Sequence, residues 1–335
     1  MAIVTSDLRI GLVGAGMVAE HHVKAWQACE GARLVAIADP NKQRAGTRAK
    51  QAGKLPTFTD LQDMVSHLDL DAVDIVAPVG LHAALIKQAA DLGMHVLCQK
   101  PLVASAHEGN ALLAALPNTP SSPRVMVHEN WRWRSPYQAL KALHLEDIKS
   151  FEMRVESAGL LEDASGNYPA LERQPFFADL NRFLVFEVLI HHLDTLAFLF
   201  GPLSIKSAEL SRRCPDIQGE DYARIDLMAG GVKGTLTGDF CVEGARPLPT
   251  DILRVSGRID VLIDGWSLTV GGQPTQQWAA ETAYQDGYTA TIQHFVDALG
   301  SGKPFATSAA TGVELLRIVE RIYSLADWQP QSDVR

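Results

Sequence analysis

The sequence predicts an α/β protein built in two parts. A doubly wound parallel sheet over residues 1–124 comes first, and residues 125–335 form a second α/β domain with an open, mostly antiparallel sheet. Three observations predict this. Strand and helix patterns alternate up to about residue 124, as repeated βα units must when helices cover both faces of a parallel sheet. Beyond that point short strand-like runs follow one another closely with Gly, Pro and Asp between them, the rhythm of antiparallel pairing. A chain of 335 residues is also too long for one ordinary core.

The elements follow in order. Leu8–Val13 is an apolar strand that breaks into Gly14-Ala15-Gly16-Met17-Val18 and opens a helix at Ala19. Gly14, Gly16 and Ala19 occupy the positions of a G-x-G-x-x-G/A fingerprint. Gly14 allows the tight turn, Gly16 lets backbone N–H groups approach a pyrophosphate, and Ala19 lets the helix lie close to the strand. Arg33–Ala38 is a second apolar strand ending in Asp39, where a carboxylate would accept hydrogen bonds from an adenosine ribose. Strand, glycine turn, helix, strand and acid in that order give a dinucleotide site, and the first half reads as a Rossmann domain.

Asp60–His67 reads as a helix capped by Thr59 or Asp60, and Val73–Ala77 as a short strand ending at Pro78. Ala83–Leu92 is a helix stopped by Gly93, His95–Cys98 a buried strand, and Ser105–Leu116 a helix ended by Pro117. Asn118–Pro123 is a loop, and Val125–Val127 a further strand. The ligand crevice is expected at the carboxyl ends of these strands. In the second half, strands are expected at Ser150–Val155, Ser204–Leu210, Tyr222–Met228, Gly234–Phe240, Asp251–Ser256 and Ile259–Ile263. Helices are expected near Phe183–Phe200, Tyr284–Leu299 and Ala309–Asp327, the last at the domain junction. An open sheet with few helices should leave one apolar face, which would pair with the same face of another subunit to give a homodimer or homotetramer.

Composition excludes several classes. An apolar fraction of 47% with 21% charged residues describes a globular chain, and a formal charge of -9 argues against nucleic acid or anionic membrane as partner. No apolar run reaches the length of a membrane span, and the first strand begins too near Met1 for a signal peptide. Cys29, Cys98, Cys214 and Cys241 form no C-x-x-C pair, so reduced thiols in the cytoplasm are expected.

Three further signals carry chemistry. Gln99-Lys100-Pro101 closes the His95–Cys98 strand at the crevice rim, and proline holds Lys100 extended. Taken alone, a Lys-Pro pair also reads as an exposed turn. Glu187, His191 and Asp194 lie at helical spacing, so a carboxylate could orient an imidazole as a general base. A buried histidine satisfied by its own helix is the alternative. A metal pair at Glu187 and His191 is a third, though no further ligand is evident and no metal is expected. Asn130, Trp131 and Arg132 leave the strand at Val125–Val127 in a pattern suited to a sugar, or else to domain-junction packing with solvated arginines. Arg182, behind Asp179 and Asn181, is a second candidate; two arginines would favour a carboxylate-bearing substrate, and surface ion pairing would explain either. His192 faces away from His191 along the helix.

Together these segments resemble the Gfo/Idh/MocA family, the relatives of glucose–fructose oxidoreductase and inositol dehydrogenase, over nearly the whole chain. The matching blocks are Ile10–His22, the strand ending in Asp39, Ala77–His82, Gly93–Leu102 and Glu187–Gly201. The family's Glu-Lys-Pro motif falls on Gln99-Lys100-Pro101, and its Asp-x-x-x-His pair on Glu187 and His191. The resemblance implies NAD(P)-dependent oxidation of a secondary hydroxyl on a sugar, polyol or sugar acid. It implies cofactor contacts at Gly14, Gly16, Met17, Val18, Asp39, Pro78, His82, Gln99 and Lys100. Catalysis would fall to His191 as proton acceptor, Lys100 as alkoxide stabiliser and Glu187 as orienting group, with the first two roles exchangeable. Asn130, Trp131, Arg132, Arg182 and His192 would touch substrate. An oxidoisomerase or redox glycosidase that retains its cofactor, and a non-catalytic nucleotide sensor, are the competing activities. Asp39 favours NAD, while Asn41, Lys42 and Arg44 leave NADP open. Two departures stand out. Gln99 removes a negative charge beside Lys100, which would ease release of its proton. Glu187 is one methylene longer than aspartate, so the imidazole or substrate is expected to sit differently.

Overall fold

The computed structural model describes residues 7–117, 119 and 121–329, so Asn118 and Pro120 of the expected loop lie outside them. The chain divides into two compact units, residues 1–133 with 284–316 and residues 134–283 with 317–335. The first unit therefore reaches past the expected boundary at 124 and takes in a segment from late in the chain. Two contacts explain this. Val125–His128 hydrogen-bonds to the sheet as its edge strand. Tyr288, Ile292, Phe295 and Val296 pack with Ile10, Trp26, Leu97 and Met126 in one apolar cluster.

The first unit holds strands β1 (Leu8–Val13), β2 (Ala32–Ala38), β3 (Thr57–Phe58), β4 (Ala72–Ile75), β5 (His95–Gln99) and β6 (Val125–His128). They form one parallel sheet in the order β3-β2-β1-β4-β5-β6. The order in which strands are added reverses between β1 and β4, which places the crevice of a doubly wound sheet at their carboxyl ends. The crossover helices are α1 (Ala19–Ala28), α2 (Lys42–Gln51), α3 (Leu61–His67), α4 (His82–Asp91) and α5 (Ala106–Ala115). Asn41 caps α2, Asp60 caps α3 and Ser105 caps α5, each accepting from backbone N–H groups of the first turn. The two-residue strand β3 is too short to show any alternation in the sequence.

The second unit carries α6 (Ser135–Ala142), β7 (Ser150–Glu156), α7 (Pro169–Arg173) and α8 (Ile190–Phe200). Strands β8 (Leu203–Ser211), β9 (Tyr222–Ala229), β10 (Val232–Asp239), β11 (Thr250–Ser256), β12 (Val261–Asp264), β13 (Ser267–Val270) and β14 (Gln273–Gln277) follow. Helices α9 (Ala280–Ser301) and α10 (Ala309–Leu325) each run from one unit's share of the chain into the other's. The eight strands lie in the order β14-β13-β12-β11-β7-β10-β9-β8, antiparallel except for β7 with β10. The expected antiparallel run of strands is thus extended by β13 and β14; β14 is polar and exposed throughout, which hid it.

The expectation of an apolar open face does not hold. Met153, Ile225, Leu236 and Leu253 point to the buried side, while their neighbours Glu152, Arg154, Arg224, Asp226, Thr235 and Arg254 point to the other. Arg154 pairs with Glu156 at 2.8 Å, and Asp226 accepts from Ser207 and Thr235 at 2.9 and 3.1 Å. Alternation of period 2 supplies both faces, and here the second is laced with charge.

The stretch read as one helix over Phe183–Phe200 is a π-helix at Leu184–Leu189 followed by α8. Glu220, fully buried, holds its start: one carboxylate oxygen accepts from Phe183 N–H at 3.2 Å, and the other from Val185 N–H at 2.8 Å and from the Tyr323 hydroxyl at 2.5 Å. Removing that carboxylate strands three buried donors. Glu220→Ala should lower stability by on the order of 3 kcal/mol. Urea unfolding checks this, and an unchanged midpoint would show that the carboxylate does not anchor the segment.

Candidate active site

Gly14 ends β1 with φ +103°, a conformation that favours glycine. A Cβ there would stand 2.3 Å from the Val76 carbonyl oxygen just beyond β4. At Gly16 a Cβ would meet no protein atom within 4 Å. Helix α1 begins without any side-chain cap, and the N–H groups of Glu20 and His21 bond back to the Met17 and Val18 carbonyls at 3.3 and 3.0 Å. Asp39 braces the loop: Ala15 N–H donates to one oxygen at 2.7 Å, Asn41 N–H to the other at 2.7 Å, and Arg44 to the latter at 3.2 Å. Arg48 of α2, which the sequence did not single out, donates to the Gly16 carbonyl at 3.0 and 3.2 Å. It lies 32 residues away on a polar helix, and only the fold brings it back. Met17 and Pro78 are exposed, while Val18 is half-buried.

Lys100 follows β5, half-buried, and its bond to Pro101 is cis. The Gln99 side chain turns back under it. Its amide nitrogen lies 2.6 Å from His22 Nε2 and 3.3 Å from His128 Nδ1, and its oxygen accepts from Lys100 N–H at 3.2 Å. His82 is buried, with ring nitrogens 2.8 Å from the Ala77 carbonyl and 3.0 Å from that of Pro101. It ties the loops after β4 and β5 together, so its observed role is a clamp beneath the crevice, whereas the resemblance implied a cofactor contact.

Asn130 is buried, and Trp131 and Arg132 are half-buried on a short 3₁₀ turn after β6. Trp131 meets Tyr284 edge-on at 6.4 Å, and Arg132 donates to the Ala306 carbonyl at 3.3 Å. In the second unit Glu187 lies in the π-helix and is half-buried, while His191 and Asp194 are buried in α8. A π turn carries more residues than an α turn, and Glu187 lies in the π-helix while His191 lies in α8. His192 is fully buried, its Nε2 at 3.0 Å from Asp251 and its Nδ1 at 3.3 Å from the Val188 carbonyl. That commitment replaces the expected substrate contact with an anchoring one. Arg182 is exposed over the Tyr323 ring at 5.1 Å. Among the described residues no cluster of three His, Cys, Asp or Glu could hold a metal ion, and no helix is long and apolar enough to cross a membrane.

Residues 8–127 match a family model described as an oxidoreductase family with an NAD-binding Rossmann fold. Over 330 residues the chain is 30% identical to a D-apiose dehydrogenase of Paraburkholderia graminis, covering 93% of this chain and 86% of that one. The chain belongs to the Gfo/Idh/MocA oxidoreductase family. It is also 28% identical to a D-apiose dehydrogenase of Rhizobium rhizogenes over 96% of each chain. It is 26% identical to an inositol 2-dehydrogenase of Leifsonia xyli over 89% of this chain and 86% of that one. Among solved structures, an oxidoreductase from Agrobacterium radiobacter in complex with NAD+, L-tartaric acid and magnesium superposes with a TM-score of 0.85. It is 27% identical and is matched over 96% of both chains.

This Gfo/Idh/MocA protein is an NAD-dependent oxidoreductase, and its first unit fits that cofactor. The uncapped start of α1 and the open space at Gly16 suit a pyrophosphate, and the Asp39 oxygen that accepts only from Ala15 N–H keeps a lone pair for a ribose hydroxyl. Gly14 and Gly16 should separate cleanly on mutation. Gly14→Ala should lower the melting temperature sharply or block folding, because the added methyl collides with backbone. Gly16→Ala should melt like the parent but bind NAD about tenfold or more weakly by calorimetry. Equal behaviour of the two variants would contradict these separate roles.

Proposed function

We propose that this protein oxidises a secondary hydroxyl of a sugar, polyol or sugar acid and passes the hydride to NAD. The observation that carries this reading is Lys100 at the carboxyl end of β5, on the same edge of the sheet as the Gly14–Gly16 turn. Support for the substrate class comes from the dehydrogenases of D-apiose and inositol that this chain resembles along most of its length. The polyhydroxy acid in the Agrobacterium radiobacter complex points the same way.

NAD, when bound, supplies the hydride acceptor. The chain's own residues manage the proton and the charge. His191 accepts the hydroxyl proton, Lys100 stabilises the developing alkoxide by charge and hydrogen bonding, and Glu187 orients the imidazole or a substrate hydroxyl. Exchange of the first two roles would leave the balance of protons unchanged. Trp131 offers a ring to the C–H face of a sugar, and Asn130, Arg132 and Arg182 offer donors to its oxygens. Asp39 favours NAD over NADP because a 2′-phosphate would be set against its carboxylate.

A panel of aldoses, polyols and aldonates with NAD, read at the NADH absorbance band, tests the activity. Free NADH should accumulate with at least one substrate; turnover without it would instead indicate a retained cofactor. On that substrate Lys100→Ala and His191→Ala should each lower kcat on the order of 10²-fold or more, with NAD affinity nearly intact. Wild-type turnover by either variant would remove that residue from the mechanism.

We also infer a homodimer through the open face of the second unit's sheet. Its rows of alternating sign, Glu152, Arg154 and Glu156 beside Arg224 and Asp226, can complement a second copy. Light scattering coupled to size exclusion should give twice the chain mass at low salt and less at high salt. A monomer at every salt concentration would refute it.

A further inference from the structure

Beneath Lys100 runs a buried polar chain that the reaction described above does not use. Asp74 of β4 is fully buried, and one of its oxygens is 2.6 Å from His22 Nδ1 and accepts from Trp26 Nε1–H at 2.7 Å. His22 Nε2 meets the Gln99 amide nitrogen at 2.6 Å, and the Gln99 oxygen accepts from Lys100 N–H. The second hydrogen of the same amide points to His128 Nδ1. Every member belongs to the first unit.

The backbone fixes the direction of this chain. Lys100 N–H can only donate, so the Gln99 oxygen must face it and the NH₂ must face the two histidines. His22 Nε2 and His128 Nδ1 are then acceptors. His22 carries its proton on Nδ1, toward Asp74. Both rings are neutral, and burial, with His22 nearby, pushes the proton affinity of His128 well below the ordinary range. One charge remains, the Asp74 carboxylate. The surrounding titratable groups are His21 and Tyr288, whose rings stack at 4.9 Å, and the Cys98 thiol, pushed up by burial and by Asp74. Tyr288 also meets His22 edge-on at 5.6 Å.

A glutamate at position 99 could not donate to either ring and would force a proton onto His22. With glutamine there, the negative charge sits one histidine further from the lysine. We propose that His22 and Asp74 are positioning residues for Lys100, acting through the Gln99 amide on its backbone and its proton affinity, with the local negative charge held at 74 rather than 99. The proposal rests on the role given above to Lys100.

Nitrogen-15 NMR of the histidines tests the chain without any turnover. At pH 7 His22 should be neutral with its proton on Nδ1. In Gln99→Glu it should become imidazolium, and in Gln99→Glu/Asp74→Asn neutral with the proton on Nε2. An Nε2–H tautomer or an imidazolium in the parent protein would overturn the assignment. The pH profile of kcat/KM tests the coupling. The limb carried by Lys100 should fall by about one unit in Asp74→Asn and return to or above its parent position in the double variant. A limb unmoved in a folded Asp74→Asn would overturn the coupling even with the tautomers as assigned. Should that variant fail to fold, Gln99→Met keeps the side-chain length and removes the amide. Its kcat should fall about tenfold with little change in KM, and a parental kcat would overturn the proposal. If Lys100→Ala itself keeps full turnover, the role of Lys100 fails, while the tautomer result stands or falls separately.

Discussion

The nucleotide unit depends on how closely two backbones approach at the switch point of its sheet. Gly14 and Val76 immediately follow the neighbouring parallel strands β1 and β4, and they come near enough that no side chain fits between them. That approach brings α1 to the end of β1 and sets the exit of β4 beside it. Asp39 and Arg48 then secure the loop from the other side, one by accepting Ala15 N–H and the other by donating to the Gly16 carbonyl. Asp39 is therefore a brace of the turn, and its removal would disturb the loop.

Thiol chemistry has no place in this arrangement. Burial pushes the thiols of Cys29 and Cys241 up to about 12, and that of Cys98 well above its ordinary value. Burial raises Cys214 as well. Thiolate character is what makes cysteine a nucleophile or metal ligand, and these four lack it at neutral pH.

The sequence was most legible where local chemistry dictates local shape. Gly14, Gly16 and Ala19 announced the turn, Asp60 and Ser105 announced helix starts, and closely spaced runs with Gly, Pro and Asp between them announced β7 to β11. It was least legible where contacts are distant. Helix α9 packs on the first sheet from some 260 residues away, as the bond between His21 and Gln285 shows (|i−j| of 264). The π turn before α8 depends on Glu220, a residue that follows the helix, so Phe183–Phe200 read as one continuous helix. His192 looked free to face a pocket because Asp251, 59 residues on, could not be paired with it. The best overlooked clue was Asp74 itself, an acid inside an otherwise apolar strand, where an unpaired charge is costly and needs a reason.

Two buried carboxylates show how that reason differs between the units. Asp251 accepts from His192 and from the Tyr137 hydroxyl, and pairs with Arg134 at 3.3 Å. Burial alone would push its carboxyl up, but His192, Arg134 and Tyr137 together outweigh that and hold it well below the usual carboxylate range. Its donors occupy both oxygens, so it works as an anchor that joins α6, α8 and β11. Asp74 is different. Both of its donors share one oxygen, and its other oxygen has no partner among the described residues. An unmet buried oxygen costs about 1–3 kcal/mol, which apolar packing in a strand such as β4 would have avoided. Stability therefore does not account for Asp74. What the position gains is a fixed negative charge at a set remove from Lys100, transmitted through groups whose protons the backbone itself dictates.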